Sequence, residues 1–263
     1  MFKHLQGKCV FITGASAGIG EACARTFAAA GCNVVITARR ADRLEKLKAE
    51  LVKTYPSVRV HAAALDVTSK DQIDQVVSEL PVDFQYIDVL INNAGMGRGM
   101  VPIAEYCPDD IDAMVDTNVK GVIYGCQAFI PRMKQSPLAN GGTIINVSSI
   151  AAHDVRPTAG IYSATKHAVD AITRTLRYEL ADTNVRITAL SPGLVETEFV
   201  LTRLNGDRAK AAEAFRGMMA LQAQDIAETA LFIASRPAHV EVAEVIVLPK
   251  GQASYTYAHR KEV

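Results

Sequence analysis

Short runs of Val, Ile and Ala alternate with longer helical segments along the whole chain, and this alternation restricts the fold more than any other feature. The runs are 8–13 (KCVFIT), 33–38 (NVVITA), 58–65 (VRVHAAAL), 87–92 (IDVLIN), 142–148 (GTIINVS), 185–190 (VRITAL) and 244–249 (EVIVLP). Several are continuously apolar, the pattern of strands covered on both faces of a parallel sheet. Segments with helical spacing lie between them, at about 18–30, 40–55, 69–80, 109–134, 160–182, 207–219 and 224–235. Within 40–55, Leu44, Leu47 and Leu51 share one face. Repeated β-α units with right-handed crossovers give a doubly wound sheet. With 263 residues and no linker rich in Pro, Gly or Ser, the expectation is one Rossmann-type α/β domain.

The first strand runs into Thr13-Gly14-Ala15-Ser16-Ala17-Gly18-Ile19-Gly20 at the mouth of a helix. Glycines let the main chain approach a pyrophosphate, and the free N–H groups and dipole of a helix N-terminus favour its charge. The spacing is GxxxGxG, not the GxGxxG of the usual dinucleotide fingerprint. The reading rests on position, directly after the first strand, and marks Gly14, Ser16, Gly18, Ile19 and Gly20 as cofactor contacts. The end of the second strand selects the cofactor. An NAD site places an acid there, against the ribose hydroxyls. Here 31–40 reads GCNVVITARR and holds no acid. Arg39 and Arg40 stand where a 2′-phosphate would lie, and a guanidinium pairs with phosphate bidentately. NADP(H) is the expected cofactor.

Tyr162 and Lys166 are four apart on a helical segment and share a face. A phenol ordinarily titrates near about 10, and a neighbouring ammonium favours its phenolate. Tyr162 and Lys166 are joined by TGASAGIG (13–20), Asp66-Val67, NNAG (92–95), Asn118, VSS (147–149) and PGLVETEF (192–199). With these motifs the chain resembles the short-chain dehydrogenases over essentially its whole length. The resemblance implies that Ser149 orients and polarises a substrate carbonyl and that Tyr162 exchanges the proton. It implies that Lys166 holds the nicotinamide ribose and lowers the tyrosine's pKa, and that Asn118 anchors a proton-relay water. Asp66 and Val67 would contact adenine, Asn93 the adenosine ribose region, and Pro192, Gly193, Val195 and Thr197 the nicotinamide side. A lid at about 194–220 and a C-terminal tail at about 250–263 are expected around this site. The tail is polar and shows no evident partner within the fold.

LPVDFQYIDVLINNAG, Arg203 with GDRAKAAEAF, and LFIASRPAHVEVAEVIVLP look like the NADP-dependent 3-hydroxy acid dehydrogenases. That resemblance implies L-allo-threonine, serine, or 3-hydroxypropionate and malonic semialdehyde as substrates. NVSSIAAHD and GMGRGM (95–100) depart from that pattern at the pocket wall. A broad carbonyl reductase therefore stays open, as does an NADP(H)-binding sensor without turnover. A substrate carboxylate needs a cation near Ser149 and Tyr162. Arg203 is the first candidate and Arg156 the second, with Arg203 alternatively tied to Glu196 or Glu198. A sugar-nucleotide epimerase is disfavoured, because only about 70 residues follow Pro192-Gly193.

The balance of 28 basic and 28 acidic residues, without a like-charge block, gives no reason to expect nucleic acid or a membrane surface as partner. The opening MFKHLQGK is not a signal sequence, and no run reaches the roughly 20 apolar residues of a spanning helix. The five cysteines (9, 23, 32, 107 and 126) include no CxxC and suit buried thiols in a reducing cytoplasm. The six histidines show no ligand spacing, so no metal is expected. The resemblance further implies a homotetramer, paired through the helices at about 109–134 and 160–182.

Overall fold

The computed structural model describes residues 3–136, 141–204 and 206–261. Residue 205 of the expected lid and residues 262 and 263 of the expected tail lie outside the described residues. Seven parallel strands form one sheet: β1 (Cys9–Thr13), β2 (Asn33–Ala38), β3 (Val60–Ala64), β4 (Val89–Asn92), β5 (Thr143–Val147), β6 (Arg186–Pro192) and, last in the chain, β9 (Glu244–Val247). Their spatial order is β3-β2-β1-β4-β5-β6-β9. The order reverses between β1 and β4, and in such sheets ligands bind in the crevice above the carboxyl ends at that point.

Successive strand residues face opposite sides of the sheet and feed two cores. Ile12 and Ile36 join Phe27 of α1 (Gly18–Ala29), Leu44, Leu47 and Leu51 of α2 (Ala41–Thr54), and Ile226 of α9 (Ala223–Ala234). Phe11, Leu90 and Ile144 face the other way. They meet Ile73 of α3 (Lys70–Ser78), Phe129 of α5 (Gly121–Lys134) and Val169 of α6 (Gly160–Glu179). Being covered on both faces explains why every residue of β1 and β2 is buried. A third, smaller cluster of Met96, Tyr106, Met114, Ala151 and Tyr162 packs together, with Phe199 and Tyr255 against it.

Three features differ from the sequence reading. The helix expected over 109–134 is α4 (Pro108–Val115) and α5, joined by a wider π-helical turn over Asp116–Lys120. The segment at 194–222 contains a short helix the periodicity does not reveal, α7 (Glu198–Arg203), before α8 (Arg208–Phe215). It also contains a two-residue parallel pairing of β7 (Val195–Glu196) with β8 (Leu221–Gln222). Four cysteines are buried as expected, but Cys107 is exposed, because it precedes α4 on a surface loop.

Beneath the sheet's carboxyl edge runs a buried amide relay. Asn92 Nδ2 donates to Asn146 Oδ1 at 2.9 Å, and Asn146 Nδ2 donates to Thr173 Oγ1 at 2.9 Å. Thr173 in turn donates to the Val169 carbonyl at 2.7 Å. Gly125 makes room for the relay, since a Cβ there would collide with Asn92 Oδ1. The relay ties β4, β5 and α6 into one rigid block. Asn146→Ala leaves the Asn92 amide only its weak bond to the Cys126 thiol, so we expect a loss of about 1–3 kcal/mol in chemical denaturation, with the same fold by circular dichroism.

Candidate active site

A single cleft with a cavity volume of about 1230 Å³ opens along the carboxyl ends of the strands. At one end, the chain leaving β1 turns at Gly14 with φ +68°. A Cβ on Gly20 would strike the Gly14 carbonyl and the Asn93 amide, so the turn closes only with glycine there. Asn93 braces the turn from β4, its Nδ2 donating to the Thr13 and Gly14 carbonyls at 2.8 and 3.3 Å. Thr13 Oγ1 answers by accepting from the N–H groups of Asn93 and Ala94. Gly14, Ser16, Gly18 and Ile19 line the cleft, while Gly20 lies beneath them. This is a backbone cradle of the kind a pyrophosphate needs.

Arg39 and Arg40 follow β2 directly and line the same end. Arg40 Nε donates to Ser16 Oγ at 3.0 Å, and its Nη1 pairs with Glu198 at 3.0 Å. Arg43, one helical turn on, pairs with the same carboxylate at 2.9 Å. Arg43 and then Arg40 hold the Glu198 carboxyl below the usual carboxylate range. The sequence reading missed Arg43, although its three-residue spacing from Arg40 at a helix start is visible. Asp66 and Val67 line the cleft beside them, with Asp66 Oδ1 accepting from Thr68 N and Oγ1. The donor set suits a phosphorylated ribose: cationic, planar and with no acid at the end of β2. The residues present therefore fit NADP(H).

At the other end stand Ser149, Tyr162 and Lys166. Ser149 follows β5 in extended conformation, accepts from Ala151 N at 3.1 Å and is hydrogen-bonded to the Tyr162 phenol. Tyr162 and Lys166 rise from the first turns of α6, and both are buried. The Lys166 ammonium donates to the Val147 carbonyl at 2.9 Å and lies 5.8 Å from the centroid of the Tyr162 ring. Burial lowers the Lys166 pKa to about 8. Burial also raises the Tyr162 phenol to about 12, opposed by the Ser149 hydrogen bond and then by the charge of Arg203. The cationic help expected from Lys166 thus comes, in this structure, from Arg203. The guanidinium of Arg203 stacks 4.9 Å from the Tyr162 ring centroid.

Asn118 sits in the π-helical turn, one layer behind. Its Oδ1 accepts from Met96 N and its Nδ2 donates to Met96 O, both at 2.8 Å, and to Thr165 Oγ1 at 3.1 Å. It therefore fixes the loop after β4, with Gly95 between itself and Lys166. Thr197 lies against Gly18 and caps α7 through its accepted bond from Phe199 N. Pro192, Gly193 and Val195 line the cleft between the two ends. Gly193 N donates to the Val247 carbonyl at 2.7 Å.

The tail does have a partner within the fold. Gln252 Oε1 accepts from Leu194 N at 2.9 Å, Lys261 N donates to the Gly217 carbonyl at 2.8 Å, and Tyr255 lines the cleft. Nothing in the tail's composition signals this, because the bonds are to main-chain groups distant in sequence. Among the described residues no cluster of His, Cys, Asp or Glu could hold a metal ion.

The lowered pKa of Lys166 has a consequence for stability. Between about pH 8 and the unfolded value of 10.5, the unfolded chain holds this proton and the folded chain does not. Stability attributable to Lys166 therefore rises with pH across that window. Urea titrations of the wild type and Lys166→Met should show the wild type gaining on the variant from pH 8 to pH 10. A constant difference would mean the ammonium is not buried as described.

Known proteins agree with this geometry. The short chain dehydrogenase family matches residues 8–207. The chain is 42% identical over 250 residues to a sulfoacetaldehyde reductase of Chromohalobacter salexigens, covering 95% of this chain and 97% of the relative. It is 38% identical over 261 residues to an NADP-dependent 3-hydroxy acid dehydrogenase of Schizosaccharomyces pombe, covering 99% of both. A solved structure of serine dehydrogenase in its closed form, complexed with NADP+, superposes with a TM-score of 0.89 at 35% identity, covering 97% of this chain and all of that one. The chain belongs to the short-chain dehydrogenase family.

Proposed function

We propose that this protein is an NADP(H)-dependent oxidoreductase that interconverts the alcohol and carbonyl forms of a small anionic substrate of the 3-hydroxy acid class. The observation that carries the reading is the meeting of Ser149, Tyr162 and Lys166 in the same cleft as an acid-free pair of arginines after β2. The names of the relatives, a 3-hydroxy acid dehydrogenase and a serine dehydrogenase, support the substrate class. Arg203 supports it from the chain's own side. It is buried, stacked on Tyr162, and paired with neither Glu196 nor Glu198, which bond Gln222 and the Arg40–Arg43 pair instead.

NADPH, when bound, supplies the hydride. The chain supplies position and the proton. Ser149 Oγ holds the substrate oxygen beside Tyr162 Oη, which donates its proton as the alcohol forms and accepts it in the reverse direction. Raised by burial, the phenol carries its proton at neutral pH, and the Ser149 hydrogen bond and the Arg203 charge ease its release. Lys166, fixed by Val147, faces the ribose side, and Asn118 keeps the 95–97 loop against it. Asp66, Val67 and Asn93 flank the adenosine, and Pro192, Gly193, Val195 and Thr197 flank the nicotinamide. Segment 194–220 is the lid, carrying Arg203 toward the substrate.

A sensor without turnover would have no need of the complete Ser-Tyr-Lys set. A homotetramer is part of the same proposal. The outer side of α6 carries Ala164, Ala168 and Ala171, and Phe232 of α9 and Ile246 of β9 are exposed. Two such faces would serve two different two-fold axes. The four buried thiols suit the expected cytoplasmic location.

Two measurements check the reading. NADPH should exceed NADH by at least about tenfold in kcat/KM, since a charge-assisted contact to phosphate contributes about 1.5–3 kcal/mol, and Arg39→Asp should erase that preference. Equal use of both cofactors by the wild type contradicts the assignment. Tyr162→Phe should bind NADPH with nearly unchanged affinity while its reductase activity falls by about 10²–10⁴-fold, the usual share of a general acid. Full activity in that variant removes Tyr162 from the mechanism.

A further inference from the structure

Arg39, Arg40 and Arg43 crowd the end of β2 and the start of α2, and the only carboxylate paired with them among the described residues comes from α7, far away in the chain. It is Glu198, the first residue of that helix. Its Oε2 accepts from Arg40 Nη1 at 3.0 Å. Both of its oxygens accept from Arg43 Nη1, at 2.9 and 3.0 Å. Arg39, Arg40 and Glu198 line the cleft together with Ser16, and Arg43 does not. Arg39 has no side-chain partner among the described residues. An anion of this chain thus already sits on one of the two arginines assigned to the 2′-phosphate, while the other stands open.

A guanidinium grips a phosphate best through two neighbouring nitrogens at once. Arg40 has two such forks, Nε with Nη2 and Nη1 with Nη2. One nitrogen of each is taken, Nε by Ser16 Oγ at 3.0 Å and Nη1 by Glu198. A phosphate that binds Arg40 bidentately must therefore displace one of these two oxygens. The serine is neutral, and its hydroxyl can itself donate to a phosphate. The carboxylate can only accept, and it repels a phosphate, which carries about −1.5 to −2 charges at neutral pH. Glu198 is thus the partner that yields. Its departure costs little, because both side chains of the pair are about half exposed, at 44% for Arg40 and 50% for Glu198. Nor is the carboxylate left without a cation, since Arg43 already holds both of its oxygens.

We propose that Glu198 is the resting counter-anion of the 2′-phosphate seat: it occupies Arg40 in the free protein and gives it up to the 2′-phosphate of NADP(H), remaining on Arg43 alone. Glu198 is then a specificity-determining residue that works against the preferred cofactor. Binding of NADP(H) includes the exchange of one anion for another at Arg40. NAD(H) brings no phosphate to that position and leaves the Glu198–Arg40 pair in place. The carboxylate therefore reduces the advantage of NADP(H) over NAD(H) without abolishing it, because the phosphate brings more charge and also meets the open Arg39. The proposal rests on the placement of the 2′-phosphate at Arg39 and Arg40.

The test is the Kd of each reduced cofactor, read from the fluorescence of NADPH and NADH on the full chain without substrate. Glu198→Gln keeps the size of the side chain and removes its charge. The variant should bind NADPH about three- to fivefold more tightly than the wild type, the worth of a half-exposed ion pair, and NADH with unchanged affinity. Calorimetry with 2′,5′-ADP and 5′-AMP should repeat the contrast without the nicotinamide, tighter binding being confined to 2′,5′-ADP. NADH is the control for α7, because a loosened helix alters both cofactors alike. Weaker NADPH binding by Glu198→Gln, with NADH unchanged, would mean that the carboxylate orients Arg40 for the phosphate, and it overturns the exchange. Equal changes for both cofactors, or no change in either, overturn it as well. A wild type that binds NADPH and NADH equally tightly removes the phosphate from Arg39 and Arg40, and the exchange falls with that placement.

Discussion

The burial of the Lys166 ammonium under the carboxyl edge of the sheet is the constraint on which the rest of the site depends. The charge is held by a bond to the carbonyl of Val147, the last residue of β5. That bond requires α6 to begin at this edge and cross β5 at a fixed height. Tyr162, one helical turn earlier, is then set beside Ser149, which continues the same strand. Below, the Asn92–Asn146–Thr173 relay locks the helix to the strands. Beside it, the π-helical turn places Asn118 so that it grips both polar atoms of the Met96 main chain. A parallel sheet supplies this edge because all its strands end there, and the reversal of strand order opens the crevice.

Charge divides the cleft into two territories. At the cofactor end, two arginines, Arg40 and Arg43, share one carboxylate, Glu198 of α7. At the substrate end, Arg156 and Arg203 form no ion pair among the described residues, and the charge of Arg203 favours a phenolate on Tyr162. Burial strengthens the second effect, because buried charges are poorly screened, whereas the Glu198 pairs are half-exposed and screened by solvent. Tail side chains bond main-chain groups of the segment around α7 and α8, Gln252 to Leu194 and Arg260 to Ala214 and Arg216.

Much of this was legible in the sequence. The strand NVVITA (33–38) coincides with β2, and Leu44, Leu47 and Leu51 all reach the core, because periodicity reports burial directly. The glycine turn, the missing acid after β2 and the Tyr162–Lys166 spacing are local patterns with local physical causes. What escaped is held by long-range contacts. Helix α7 and the β7–β8 pair are too short to show a period. The π-helical turn changes a hydrogen-bond spacing without changing composition. The place of Tyr255 depends on bonds from Gln252 to Leu194 and from Arg260 to Ala214 and Arg216, pairs separated by more than 40 residues. The balance of charges around Tyr162 depends on Arg203 arriving from another element.

The most direct test of the account is the fate of the hydride. The protein would be incubated with NADPH deuterated at the transferring position of the nicotinamide and a short anionic aldehyde, and the alcohol would be analysed by mass spectrometry. The account predicts one deuterium on the carbinol carbon of every product molecule, with none lost to solvent water. An alcohol without deuterium, or no alcohol from any anionic aldehyde offered, would contradict it.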